Sequence, residues 1–90
     1  MYTIRYRSKF KKNLAMMVRR GKDPEKIRSV IIALAAVHKL DPKYRDHSLG
    51  GDLEGFRDCH IEPDWLLIYR VEGDTLYLER TGTHSDLFKK

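Results

Sequence analysis

Three of the four histidines in this 90-residue chain, His47, His60 and His84, fall in its second half, together with Asp46, Asp58, Asp64 and Arg80. Imidazole changes charge near neutral pH, so a histidine can take up a proton in one step and give one back in another. An arginine beside such groups stabilises negative charge on phosphoryl oxygens. Together they can cleave RNA without a metal: one group removes the 2′-hydroxyl proton and another protonates the departing 5′-oxygen. The same residues can also make a zinc site, although no histidine pair has a local ligand spacing and the lone Cys59 adds little. They can equally be surface histidines with no chemical role. Residue types alone leave all three readings open.

The elements that must position these residues follow from pattern. Tyr2, Ile4 and Tyr6 alternate with polar residues, as in a half-buried strand. Ser8 is placed to cap a helix carrying Phe10, Leu14, Met17 and Val18 on one side, and Gly21 to end it. Asp23-Pro24-Glu25 restarts a helix, with Ile27, Val30, Ile31, Leu34 and Val37 at helical spacing and Pro42 as its outer limit. Residues 44–54 read as loop. Strands follow at 56–61, 65–71 and 75–81, separated by turns at Ile61-Glu62-Pro63-Asp64 and Glu72-Gly73-Asp74.

The predicted fold is therefore α+β. One antiparallel sheet begins with the N-terminal strand, carries a two-helix hairpin on one face, and ends in a three-strand meander. The site belongs on the open face. In strand 56–61, Phe56, Asp58 and His60 share one side, and the cost of burying an ionisable pair turns Asp58 and His60 toward the open face. Asp64 lies in the next turn, within reach of His60. His84 follows the last strand, where Gly82 lets the backbone bend back.

Composition bounds the rest. A hydrophobic fraction of 41% with 34% charged residues excludes a disordered chain, and the length predicts one domain over residues 1–90. The apolar stretch from Val30 to Val37 is too short to cross a bilayer, the first residues show no signal-like pattern, and one cysteine implies no oxidising compartment. The expected setting is cytoplasmic, with no membrane partner. The net charge of +5 is uneven: residues 1–28 hold ten Lys or Arg against Asp23 and Glu25, and the remainder is net acidic. That asymmetry suits a polyanion or an acidic partner. The alternative for this basic stretch is an ordinary solvated helix face.

The second half carries a more specific signal. Asp46-His47, Leu49, Gly51, Gly55-Phe56-Arg57-Asp58, His60, Glu62-Pro63-Asp64-Trp65-Leu66, Glu79-Arg80-Thr81-Gly82-Thr83-His84 and Leu87-Phe88 together resemble the YafQ branch of the RelE-type bacterial toxins. The match spans residues 44–88; the first 43 residues match only in their strand-and-two-helix pattern. Ser48, Leu53 and Glu54 depart from it, standing where a proline, an aromatic and a basic residue are frequent. The resemblance implies the toxin of a type II toxin–antitoxin pair: a ribosome-dependent endoribonuclease that cuts messenger RNA, inhibits translation and is silenced by its antitoxin. Operator DNA would be reached only through the antitoxin complex.

Carried onto this chain, the resemblance implies a catalytic cluster of His47, His60, Asp64 and His84. Asp58, Arg80 and Phe88 shape the site or hold RNA. With a ribosomal target implied, the charge of Lys9, Lys11 and Lys12 is either a solvated helix face or a contact to ribosomal RNA. No metal or cofactor is expected. His84 is assigned as general acid, His60 with Asp64 as the base side, and His47 to orienting the phosphate or sharing the proton transfer. The rival reading is a non-cutting, antitoxin-regulated module that binds RNA or the ribosome, or acts as a co-repressor. His38 reads as a helix-end residue outside the site, Trp65 as a core anchor and Cys59 as buried filler. Phe88 is either a latch for the tail or a base-stacking aromatic.

Overall fold

The computed structural model describes residues 1–88. Strand β1 (Thr3–Tyr6) leads into helices α1 (Ser8–Arg19) and α2 (Pro24–Ala35). A single 3-10 turn at Pro42–Tyr44 precedes the two-residue strand β2 (His47–Ser48), and a second 3-10 turn covers Gly51–Leu53. Strands β3 (Arg57–Glu62), β4 (Trp65–Glu72) and β5 (Thr75–Gly82) follow, and helix α3 (His84–Phe88) closes the described chain. The α+β architecture agrees with the sequence pattern.

The sheet is mixed rather than purely antiparallel. Its order is β1-β5-β4-β3-β2, and β1 pairs with β5 in parallel. The helices between β1 and the meander carry the chain across the sheet, so β1 and β5 run the same way along that edge. The region 44–54 is not all loop either, because His47 and Ser48 pair with Asp58 and Arg57.

Helix α1 begins at Ser8 itself with no side-chain cap, whereas Asp23 caps α2 by accepting from the Glu25 amide at 3.0 Å. At the end of α1, Gly21 has φ +96°, and the amides of Gly21 and Lys22 donate back to Val18 and Met17. This is a Schellman ending with glycine at the left-handed position. Helix α2 ends the same way, at Ala35, well short of Pro42. There the left-handed residue is Val37 at φ +62°, 56% exposed rather than on the apolar face. A β-branched residue in that conformation is strained by about 1–2 kcal/mol. Val37→Gly should therefore stabilise the fold by about 0.5–1 kcal/mol after glycine's extra chain entropy. Thermal melting checks this, at about 4–8 °C per kcal/mol for a domain of this size; an unchanged or lower midpoint refutes it.

The main core lies between the helices and one sheet face. Phe10, Met17, Ile27, Val30, Ile31 and Leu34 meet Cys59, Ile61, Trp65, Leu67, Tyr69, Leu76 and Leu78. Each fully buried side chain of this kind contributes about 1.5–3 kcal/mol. Val18, expected on the buried side of α1, is exposed. The opposite sheet face is only partly open. Leu66 and Ile68 are buried there, and Leu53, Phe56 and Leu87 line a cleft with Ile68. That small apolar cap leaves the remainder of the face to the polar residues.

Candidate active site

Strand pairing brings the polar residues into two rows. His47 pairs with Asp58, Asp58 with Ile68, and Ile68 with Arg80; in the next row His60 pairs with Leu66 and Leu66 with Gly82. Arg80 joins its row only because of a β-bulge. Tyr69 pairs with Leu78 but Ile68 with Arg80, which leaves Glu79 as the extra residue. Simple alternation would put Arg80 with Leu76 and Leu78 in the core. The bulge turns Arg80 away and sends Thr81 inward, where its hydroxyl accepts from the Trp65 indole at 2.9 Å and donates to the Leu66 carbonyl at 2.6 Å. Trp65 and Cys59 are both fully buried, as core residues.

The three imidazoles converge. The His47 and His60 ring centroids are 6.4 Å apart, and those of His60 and His84 5.5 Å, nearly edge to face. His47 Nδ1 donates to the Arg45 carbonyl at 2.7 Å, which leaves Nε2 as the acceptor of the neutral ring. Asp46 anchors this segment: its Oδ1 accepts from the Tyr69 hydroxyl at 2.5 Å and from Arg57 Nε at 3.2 Å. Asp46 is thus a structural tie rather than a member of the cluster.

Asp64 pairs with His84 and not with His60. One Asp64 oxygen accepts the His84 backbone amide at 2.9 Å and its ring Nδ1 at 2.5 Å. These bonds, the backbone amide first, hold the Asp64 carboxyl below the usual range. The carboxylate fixes the ring with Nε2 outward and balances the charge of its protonated form. His60 instead faces Asp58, with Nε2 3.8 Å from Oδ1, too far for a hydrogen bond. Burial lowers the His60 pKa below its ordinary value despite that carboxylate. Burial likewise raises Asp58, which is 3% exposed with Oδ1 unpartnered among the described residues. Asp58 therefore sits beneath the histidines and is not exposed to contact RNA.

His84 owes its place to a motif at the start of α3 that apolar spacing and strand alternation do not reveal. Thr83 and Asp86 form a reciprocal capping box: the Thr83 amide donates to Asp86 Oδ2 at 2.9 Å, and the Asp86 amide to Thr83 Oγ1 at 3.1 Å. The spacing Thr83-x-x-Asp86 was visible in the chain as a helix-start signal. Arg20 clamps Asp86 through both guanidinium ends at 2.7 and 3.2 Å, a 66-residue connection that no local signal announced. The Arg20 bond is the main cause that lowers the Asp86 carboxyl to about 2. A second long-range tie holds the turn bearing Asp64, where Glu62 accepts from Lys22 at 2.7 Å and from Lys26 at 2.8 Å. Several cations of the basic N-terminal third thus brace the fold.

The other candidates are more dispersed. Arg80 Nε donates to Asn13 Oδ1 at 2.7 Å, which leaves its terminal nitrogens for another acceptor. Lys9 lines the cleft with Phe56, Ile68 and Arg80, whereas Lys11 lines a groove against the two helices and β1. Spacing on the helix splits the lysine run over different faces. Phe88 is partly buried at the end of α3. The described residues include no group of three or more His, Cys, Asp or Glu disposed to hold a metal ion, and no helix long and apolar enough to cross a membrane.

Comparison with known proteins narrows the reading. The chain is 40% identical over 86 residues, 94% of each chain, to the mRNA interferase toxin YafQ of Escherichia coli K12. A copper-bound mutant toxin from Helicobacter pylori superposes with a TM-score of 0.94 at 39% identity, covering 98% of this chain and 100% of that one. The toxin of the E. coli DinJ–YafQ complex superposes at 0.90 with 38% identity, covering 98% and 99%. The profile of the YafQ family, bacterial toxins of type II toxin–antitoxin systems, matches residues 2–89. With that family's fold and nearly its full length in common, the chain belongs to the YafQ family of type II toxin–antitoxin toxins.

Proposed function

We propose that this toxin is an endoribonuclease that cuts messenger RNA on the ribosome by acid–base catalysis without a metal, and so arrests translation in the cytoplasm. The observation that carries the proposal is the convergence of three histidine rings, one braced by Asp64. The name of the E. coli relative, an mRNA interferase, supports the same chemistry. His60, kept neutral by burial, is the base that takes the 2′-hydroxyl proton. The 2′-oxygen then attacks phosphorus, and the 5′-oxygen leaves with a proton from the His84 ring that Asp64 orients. The upstream fragment ends in a cyclic or 3′ phosphate. His47 is placed to orient the phosphate, and the free nitrogens of Arg80 stabilise its oxygens. Asp64 thus moves from the base side to the acid side of the mechanism.

The partners follow from the same reading: ribosome and message as target, and a cognate antitoxin as inhibitor, as the DinJ–YafQ complex suggests. The exposed Lys9, Lys11 and Lys12 add attraction to RNA. Incubating the protein with ribosomes programmed with a defined message should yield a discrete cut end, unaffected by a chelator. Translation arrest with an intact message would favour the non-cutting module. Activity lost to a chelator and restored by zinc would overturn the metal-free route.

A further inference from the structure

The catalytic rings do not exhaust the charged groups on this side of the molecule. Beside His60 lies a cleft of about 520 Å³, between the turn that ends at Arg45 and the turn that carries Glu62 and Pro63. Its volume is within the usual range for ligand pockets. Lys26, Lys43, Arg45 and His60 line it, with Glu62 as its acidic member. Glu62 is already neutralised by Lys22 and Lys26. Lys43 and Arg45 are different: neither has a carboxylate partner among the described residues, and Lys43 only approaches the Tyr44 ring at 5.2 Å. Most other arginines near the sheet have acceptors, as Arg20, Arg57, Arg70 and Arg80 do.

The backbone holds Arg45 where it is. Asp41 caps the 3-10 turn by accepting from the Lys43 amide at 2.9 Å, and Arg45 follows at φ +51° in the left-handed region. That conformation favours glycine and strains an arginine. The Arg45 carbonyl is also the acceptor that fixes His47. One strained residue therefore sets the His47 ring with its backbone and contributes to the lining of the cleft. The Arg45 charge is close enough to His60 to disfavour that imidazolium.

We propose that this cleft is a second phosphate subsite, in which Arg45 and Lys43 hold the message backbone one nucleotide from the bond to be cut. The proposal rests on the ribonuclease reading of the neighbouring site. A backbone phosphate supplies the acceptors that both cations lack, and Arg45 can meet two of its oxygens at once. A strand running from the histidines into the cleft is then held on both sides of His60.

The test uses Arg45→Gly, which keeps the left-handed backbone and the carbonyl that holds His47 but removes the guanidinium. Lys43→Gln is the companion variant. Cosedimentation with ribosomes carrying a message made uncleavable by a 2′-deoxy substitution at the cut site measures binding apart from chemistry. Each variant should bind about tenfold more weakly, with the salt slope reduced by about 0.7–0.9 per lost phosphate contact. With cleavable message, the half-saturating concentration should rise while the saturated rate changes by less than about threefold. Truncating the message at the cut site should abolish the difference from wild type. An unchanged salt slope overturns the subsite, and so does a difference that survives truncation, since the cations would then hold ribosomal RNA. Wild-type protein that binds but never cuts would instead refute the ribonuclease reading and leave the binding comparison standing.

Discussion

Replacing His84 by glutamine is expected to slow single-turnover cleavage on programmed ribosomes by about a hundredfold to ten-thousandfold. Glutamine keeps a hydrogen-bonding side chain opposite Asp64 but cannot deliver a proton to the leaving oxygen. The melting profile should stay close to wild type, because the ring is 46% exposed and lies outside the core. The pH–rate curve assigns the other role. A general base works in its neutral form, above its pKa, so the rate should climb as pH rises through the His60 pKa. Burial holds that pKa below the ordinary value of about 6.5. The climb should therefore lie on the acid side of that ordinary value, and His60→Gln should flatten it. With rings this close, the apparent values describe the cluster. A rate that ignores pH and is the same in both variants would remove the histidines from the mechanism.

Gly82→Ala should lower the rate by about a hundredfold although residue 82 is not placed against the reacting phosphate. The added methyl would stand 2.9 Å from Asp86 Cβ and 3.1 Å from Oδ2, closer than side chains tolerate. Asp86 cannot yield without giving up Thr83 and Arg20, the bonds that seat the start of α3. His84 is the first residue of that helix, so the strain passes directly to its ring and to the bond with Asp64. A stability loss of about 1–3 kcal/mol should accompany the change, in line with overpacking. Imidazole NMR signals separate the two effects: the His84 resonances should move while those of His38 stay in place. Wild-type cleavage with an unmoved His84 signal would show that α3 absorbs the methyl elsewhere.

The parts of this architecture legible in the chain are those written in local pattern. Asp23-Pro24 announces α2, the apolar spacing of Ile27 to Leu34 its buried face, and alternation the three meander strands. What escaped depends on partners distant in sequence. The parallel pairing of β1 with β5 is not encoded in either strand. Asp64 could be placed near a histidine, but the choice between His60 and His84 rests on the capping box and on Arg20, from the far end of the chain. The cost of burying a charge turns Asp58 toward the open face. It does face that side, but the histidines close over it. Val37 looked helical because periodicity cannot see where a Schellman ending will fall.

The bulge at Glu79 also settles how the sheet can fail. Strands err by sliding one residue past a neighbour, and β5 closed up without its bulge would do that from Glu79 onward. Arg80 would then lie opposite Leu67 among apolar side chains, and Thr81 would leave the Trp65 indole without an acceptor. Both outcomes are costly in a dry interior, so the slipped pairing is disfavoured from two directions. The surplus residue is itself tethered: the Glu79 carboxylate accepts from Arg7 at 3.3 Å and from Arg70 at 3.2 Å, one from each side of β5. The irregularity that turns Arg80 out of the core thus also holds the strand in its observed alignment.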